Sequence, residues 1–354
     1  MRYPSLDALR GLDILFIIGL DTVLRRLAGL MPEGELRHEI YRQMGHVAWE
    51  GLTLYDLIFP LFVLISGAAM YFSVSRGREI GRSRVATIAR LWQRAAILII
   101  CGWLVNGPLL WRLSEMRYAS VLGLIGISCA LAGCAALFLR RLWQIGGSAL
   151  LILLAVGIAQ TMGGDMTPTG CLNARVDALL CPGVLHSGSY DPEGPLCILS
   201  ATALCLLGYC AGAFLSVRKH SRLRISCAMG ILGALLLLIG QSCGPVIKGI
   251  WTPSFTLSAA GIGYMLLAAF HLLCDSARGA VWCLPLRIVG VNALFIYLVT
   301  HVLPFADIVE RIFGGGIREL LPPSIAPLAH ALCYLALAWT LCYALWKKNI
   351  FIKA

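Results

Sequence analysis

The stretch Met44-Gly-His-Val-Ala-Trp-Glu-Gly-Leu-Thr-Leu-Tyr-Asp-Leu-Ile-Phe-Pro-Leu-Phe-Val-Leu-Ile-Ser-Gly67 decides how this chain is read. It opens polar, with His46, Trp49 and Glu50, and runs into an apolar segment that keeps one acid, Asp56, near its start. Ionisable groups beside or within the hydrocarbon region pair with one another, face a bundle interior or line a substrate path. His46 is therefore the candidate catalytic centre, and the rest of the chain is its scaffold.

Apolar runs like this one, about 18–22 residues long, recur along the chain, and a membrane span needs about 20. Of the 354 residues, 59% are hydrophobic and 13% charged, whereas soluble domains carry about 25% charged residues. The fold class is therefore all-α, a polytopic membrane protein. Ten helices are expected, at about 12–30, 54–74, 87–106, 119–139, 143–162, 196–216, 225–244, 255–274, 286–304 and 327–346. An even number puts both termini on one side. Segments on that side include the clusters Arg76-Gly-Arg78, Arg82-Ser-Arg84, Arg140-Arg141, Arg218-Lys219, Arg222-Leu-Arg224 and Lys347-Lys348, and they hold 19 of the 29 basic residues against 10 opposite. Positive residues mark the inner side, so both termini are expected in the cytoplasm. Loops at about 31–53, 163–195 and 305–326 then face outward, and His46 with them.

The net charge of +11 sits in short loops between apolar runs, so it orients the chain in a lipid bilayer and calls for no nucleic acid. Arg2 and Arg10 precede an apolar run too long for a cleavable signal peptide. Without repeats or low-complexity tails, residues 1–354 read as a single transmembrane domain whose outer loops pack together as a cap. Most of the fourteen cysteines lie singly within apolar runs and act as small hydrophobes. No Cys or His spacing suits a metal, and none is expected. Cys171 and Cys181, close together in the longest polar loop, are the candidate disulfide if that loop is outside.

Further polar groups punctuate the apolar runs. The first helix opens with Ser5-Leu-Asp7, either of whose polar residues can cap it, followed by Arg10, Asp13 and Asp21. On a regular helix Arg10 and Asp21 fall within roughly 20° of each other, about 16 Å apart. The competing account is that Arg10 reaches the lipid headgroups and Asp21 pairs with Arg25. Glu193 is expected in the first turn of the sixth helix, where it either caps or binds. Lys248, Trp251, Thr252 and Ser254 supply an amine, an indole and two hydroxyls, either a platform for a sugar ring or an interfacial anchor. Asn292, Tyr297 and His301 lie on the ninth helix, as a functional seam or as interhelical glue.

Taken together these segments resemble the heparan-α-glucosaminide N-acetyltransferase family, membrane enzymes that acetylate a terminal glucosamine using acetyl-CoA from the opposite side. The matching segments, in order, are Ser5-Leu-Asp-Ala-Leu-Arg-Gly11, His46-Val-Ala-Trp-Glu-Gly-Leu-Thr53 with Asp56-Leu-Ile-Phe-Pro60, Asp191-Pro-Glu-Gly194, Lys248 with Trp251-Thr-Pro-Ser-Phe255, and Gly290-Val-Asn-Ala293 through Tyr297 and His301. Lacking the large N-terminal lumenal region of animal members, the chain is similar to the compact bacterial branch, which implies the bacterial inner membrane and a homodimer. The resemblance makes His46 the catalytic histidine, facing the periplasm. Asp21 stands where the family has an asparagine, and an ionised aspartate, unlike asparagine, cannot donate to a thioester carbonyl. Val121-Leu-Gly-Leu124 stands where relatives often carry Gln-Arg.

The expected chemistry is transfer of an acetyl group from cytoplasmic acetyl-CoA to an amino sugar or glycan outside. His46 acts as base or as acetyl carrier, and Asp56 or Glu50 orients it. Asp21 belongs with them in the catalytic set, and Trp49, Glu50, Glu193, Lys248, Trp251 and Ser254 take the acceptor. Arg10 and the basic loop around Arg82 to Arg94 attract the phosphates of the donor, while Asn292, Tyr297 or His301 lies along its thioester. A glycolipid flippase and a surface-polysaccharide O-acyltransferase are the rival classes.

Overall fold

The computed structural model of the protein describes residues 3–107, 115–139, 141–217 and 221–352, without the side chain of Ala277. Arg2, Arg140, Arg218 and Lys219 of the basic segments lie outside the described residues. What is described is helical. The elements are α1 (Pro4–Leu15), a π-helical segment (Phe16–Leu20), α2 (Asp21–Gly29), α3 (Glu35–Gln43), α4 (Leu54–Glu79), α5 (Arg84–Val105), α6 (Val121–Phe138), α7 (Leu142–Gly163) and α8 (Leu172–Leu180). They continue as α9 (Pro195–Leu215), α10 (Arg222–Ser242), α11 (Pro253–Cys274), α12 (Ala277–Trp282), α13 (Leu284–Val291), α14 (Ala293–Val302), α15 (Phe305–Leu320) and α16 (Ala326–Lys347).

Among the described residues eight helices are long and apolar enough to cross a membrane: α4, α5, α6, α7, α9, α10, α11 and α16. The expected ninth span is α13 and α14, bent by 68° at Asn292. The expected first span is broken as well. Gly19 sits inside the π segment at φ 136°, a left-handed value that only glycine adopts readily. The straight-helix relation between Arg10 and Asp21 therefore does not hold, because the turn between them is not α-helical.

The chain packs as two compact units. The first gathers the residues up to Val47, Thr53–Ile58 and the residues from Leu273 onward. In it α1 lies along α13, and α16 packs on α15, α13 and α2. The N-terminus of α1 is held from outside its own sequence. Asp275 accepts from both Ser5 N (2.8 Å) and Ser5 Oγ (2.7 Å), placing a carboxylate where the helix dipole favours one. Cys274 and Cys283 are disulfide-bonded around α12. Cys171 and Cys181, the expected pair, are both free. They flank α8, and its nine residues separate them by about 15 Å, more than twice the reach of a disulfide.

The second unit holds Ala48–Leu52 and Phe59–Leu272. Helix α9 is its axis: α6 and α7 pack against it and α5 packs on α6. The approach of α4 to α9 is set by glycine. A Cβ on Gly208 meets the Leu64 carbonyl oxygen at 2.1 Å, and one on Gly67 meets that of Cys205 at 2.1 Å. Small residues let backbones close to this distance in a bilayer, where lipid offers no hydrophobic drive between helices. Gly208→Ala should therefore destabilise by about 1–3 kcal/mol, the usual cost of overpacking. Gly230→Ala on α10, which meets nothing within 4 Å, should be neutral or slightly stabilising. Thermal unfolding of the two variants in detergent reads the difference.

Candidate functional site

The loop ahead of α4 is built around Asp56, which is fully buried in that helix's first turn. The positive end of the helix dipole suits a carboxylate there, and Thr53, three residues earlier, starts the helix in the manner of a capping box. Asp56 Oδ2 accepts from Thr53 Oγ1 (2.8 Å), Thr53 N (3.3 Å) and Val47 N (3.4 Å). Asp56 Oδ1 lies 2.7 Å from His46 Nδ1. A carboxylate only accepts, so Nδ1 carries the proton and Nε2 is the basic nitrogen. The imidazole side chain is 56% exposed, and the Tyr55 ring rests 4.7 Å from it. The arrangement can take a proton at Nε2 and stabilise the resulting imidazolium through Asp56.

Three further contacts fix the loop. Arg25 donates to the Met44 carbonyl through Nε (3.0 Å) and Nη2, Thr53 Oγ1 also reaches the Gly45 carbonyl (2.7 Å), and Gln43 accepts from Leu54 N (2.9 Å). Arg25 thus holds the His46 loop rather than pairing with Asp21. The sequence signal for Thr53 was its T-x-x-D spacing to Asp56. Arg25 carried none, because its partner is a main-chain carbonyl.

Asp21 begins α2 half-buried, and its Oδ1 accepts from Thr22 Oγ1 at 3.4 Å. Arg10 pairs with Asp7 at 3.5 Å. Asn292 is fully buried at the break between α13 and α14, and both ends of its amide are used: Nδ2 donates to Ile350 O (3.2 Å) and Oδ1 accepts from Ile352 N (3.0 Å). Tyr297 and His301 stack at 4.3 Å, with His301 Nδ1 donating to Tyr297 O at 2.8 Å. Asn292 is thus tied to the C-terminal segment, while Tyr297 and His301 contact each other.

The second unit carries the expected acceptor residues. Trp49 is half-buried, donates its indole N–H to Met166 O (2.7 Å) and meets Tyr190 edge-on at 5.3 Å. Glu50 is exposed and its backbone bridges to Ile247. Ile247, Ile250, Cys171 and Ala174 form a small core against which Trp49, Met166 and Tyr190 pack, so these stretches of the 31–53 and 163–195 loops do come together. Lys248 is half-buried in the adjoining turn. Trp251 is not an open sugar platform: it is 0% exposed, packed between Phe59 (5.5 Å) and Phe255 (5.6 Å). Its backbone turns left-handed (φ 47°) to enter that cluster. Ser254 donates to Pro245 O. Glu193 lies ahead of α9 rather than in its first turn, and it is ion-paired.

Its partner is Arg117, which also forks onto Asp191 through Nε (2.8 Å) and Nη2 (2.6 Å). The Asp191-Pro-Glu-Gly194 segment is therefore pinned by a half-buried guanidinium from before α6, a link no sequence spacing announces. Asp177 of α8 accepts from Asp191 N (2.9 Å), while its other oxygen has no hydrogen-bond partner among the described residues. Burial first, and then the charge of Asp191, raise its carboxyl to about 6. A raised acid favours its neutral form in the folded state, so its contribution falls as pH climbs from about 4 to about 6. Asp177→Asn should therefore gain thermal stability relative to the parent as pH goes from 4.5 to 7.5. Melting temperatures of both proteins across that range test it, and a pH-independent difference would count against a buried titrating carboxyl.

No protein-family profile matches the chain. It is similar to the heparan-alpha-glucosaminide N-acetyltransferase of Homo sapiens, 24% identical over 363 residues, which cover 84% of this chain and 52% of that protein. The corresponding protein of Mus musculus is 24% identical over 333 residues, covering 74% of this chain and 50% of the other. The chain spans about half the length of these curated relatives. The similarity to these heparan-alpha-glucosaminide N-acetyltransferases runs over most of this chain and so extends beyond isolated motifs.

Proposed function

We propose that the chain is a transmembrane acetyltransferase of the bacterial inner membrane, moving an acetyl group from cytoplasmic acetyl-CoA to the amine of an amino sugar on the outer face. One observation carries the reading: an exposed imidazole with Nδ1 held at 2.7 Å by a fully buried carboxylate. The family kinship supports it, since the relatives are by name N-acetyltransferases acting on a glucosaminide.

His46 Nε2 removes a proton from the acceptor amine as its nitrogen attacks the thioester carbonyl. Asp56 stabilises the imidazolium so formed. As the carbon–sulfur bond breaks, His46 returns the proton to the leaving thiolate, giving the acetamide and free CoA thiol. Thr53 and Arg25 position the histidine loop. Asp21 accepts a hydrogen bond from the amine, in place of an asparagine that donates one. The half-buried pair Trp49 and Tyr190 offers the aromatic surface on which a sugar ring stacks.

His46→Ala should lower turnover by about 10²–10⁴, the range removed with a general base. Asp56→Asn, which keeps a hydrogen bond but offers no charge to the imidazolium, should fall in the same range. Thr53→Val should cost less. The assay is glucosamine-stimulated release of CoA thiol from acetyl-CoA by purified protein in detergent. A folded His46→Ala protein that releases thiol at the parent rate would overturn the assignment. Orientation has its own test: alkaline phosphatase fused within the 31–53 loop should be active and green fluorescent protein fused at the C-terminus bright, and the reverse pattern inverts the topology.

A further inference from the structure

Helix α4 carries Asp56 in its first turn and Arg78 in its last, and its 26 residues are about 39 Å long, enough to cross the hydrocarbon core. Beyond Arg78 the chain turns through Gly81 (φ 69°) into α5, whose N-cap Ser83 accepts from Ala86 N at 3.2 Å. A cavity of about 450 Å³ opens there, lined by Val74, Arg78, Arg82, Arg84, Thr87 and Leu137. Three arginines on one cavity exceed what inner-side orientation requires, because orientation counts charge in a loop and not its convergence.

The arginines are held in place by contacts that leave their charge unneutralised. Arg78 Nη2 donates to the Ala136 carbonyl (2.9 Å) and Arg84 lies 6.0 Å over the Phe138 ring, while the backbone that carries Arg82 is fixed by its N–H bond to Gly77 O (2.9 Å). Glu79, the one acid between Val74 and Thr87, is exposed, and no carboxylate among the described residues forms an ion pair with the three. The first N–H groups of a 22-residue helix, α5, open on the same corner, where an anion is favoured. The floor, Val74 and Leu137, is apolar.

We propose that this pocket binds a phosphate ester. Planar guanidinium groups bind phosphate oxygens through paired, charge-assisted hydrogen bonds, and three converging cations suit an anion of more than one charge. Two sources share that chemistry: the phosphorylated adenosine end of CoA and the headgroup phosphate of an anionic phospholipid. Only the first depends on the acetyltransfer reading.

The test uses the full chain in nanodiscs of zwitterionic phosphatidylcholine, with CoA and inorganic pyrophosphate titrated calorimetrically. Arg82→Gln/Arg84→Gln should weaken CoA about tenfold or more, since charge-assisted hydrogen bonds to phosphate are lost. Arg90→Gln, an exposed arginine of α5 outside the pocket, should bind like the parent, as should His46→Ala, which loses transfer but not the donor. If the parent binds no CoA, yet the double variant loses pyrophosphate or co-purifying phosphatidylglycerol, the pocket takes phosphate from another source and the donor reading fails alone. If the correctly folded double variant matches the parent for CoA, pyrophosphate and phosphatidylglycerol, the proposal is overturned. The single variant Arg84→Gln covers the case in which the double variant does not fold.

Discussion

A carboxylate buried in the first turn of a membrane helix needs donors on every side, and Asp56 draws its donors from the loop that precedes it. Thr53 supplies a hydroxyl and an N–H, Val47 an N–H, and His46 its Nδ1. Removing any of them leaves a partly uncompensated buried charge, which costs more than the lost bond is worth. The path of residues 46–56 is thereby tied to one side chain. The imidazole is placed by the need to satisfy Asp56 as much as Asp56 is placed to orient the imidazole. Arg25 and Gln43 then fix the chain upstream, so the histidine sits on a loop with the rigidity of a helix terminus.

The broken helices follow from a related constraint. Inside a bilayer a freed backbone group must find a partner in the protein, so an interruption survives only where one is supplied. At the second break the Asn292 side chain instead ties the C-terminal segment to the bend, bonding Ile350 O and Ile352 N through both ends of its amide. At the first, the chain passes through a π turn and resumes as α2 at Asp21. Interruptions of this kind recur at functional sites because they place polar groups at depths a continuous helix would fill with hydrocarbon.

Hydropathy made the class of fold legible, because a span of about 20 apolar residues has few other uses. The breaks were less legible: Gly19 is one of 37 glycines, and its left-handed φ depends on packing that composition does not reveal. His46 and Asp56 stood out because each is expensive where it lies. Arg117 did not, since its partners Asp191 and Glu193 are far along the chain and an arginine in a short loop reads as an orientation signal. Trp251 misled in the opposite direction. An indole among hydroxyls looks like an open platform, yet a left-handed turn buries it between two phenylalanines. Cys171 and Cys181 were close in sequence but are held apart by α8, a helix that the polar loop composition concealed.

The aspartate at position 21 bears on which acceptor the site suits. An asparagine there offers an N–H to a developing oxyanion; an aspartate offers only acceptor oxygens. Arg25 spends its guanidinium on Met44, and the Asp21 carboxylate accepts from Thr22 Oγ1 at 3.4 Å. On the acetyltransfer reading its remaining acceptor capacity serves the N–H of the acceptor's amine. The oxyanion is then stabilised by other donors, and the exchange of Asn for Asp moves electrostatic help from the thioester to the amine. On that reading an aspartate suits an amine, whose N–H groups it can accept, and the choice between N- and O-acyl transfer rests in part on this side chain.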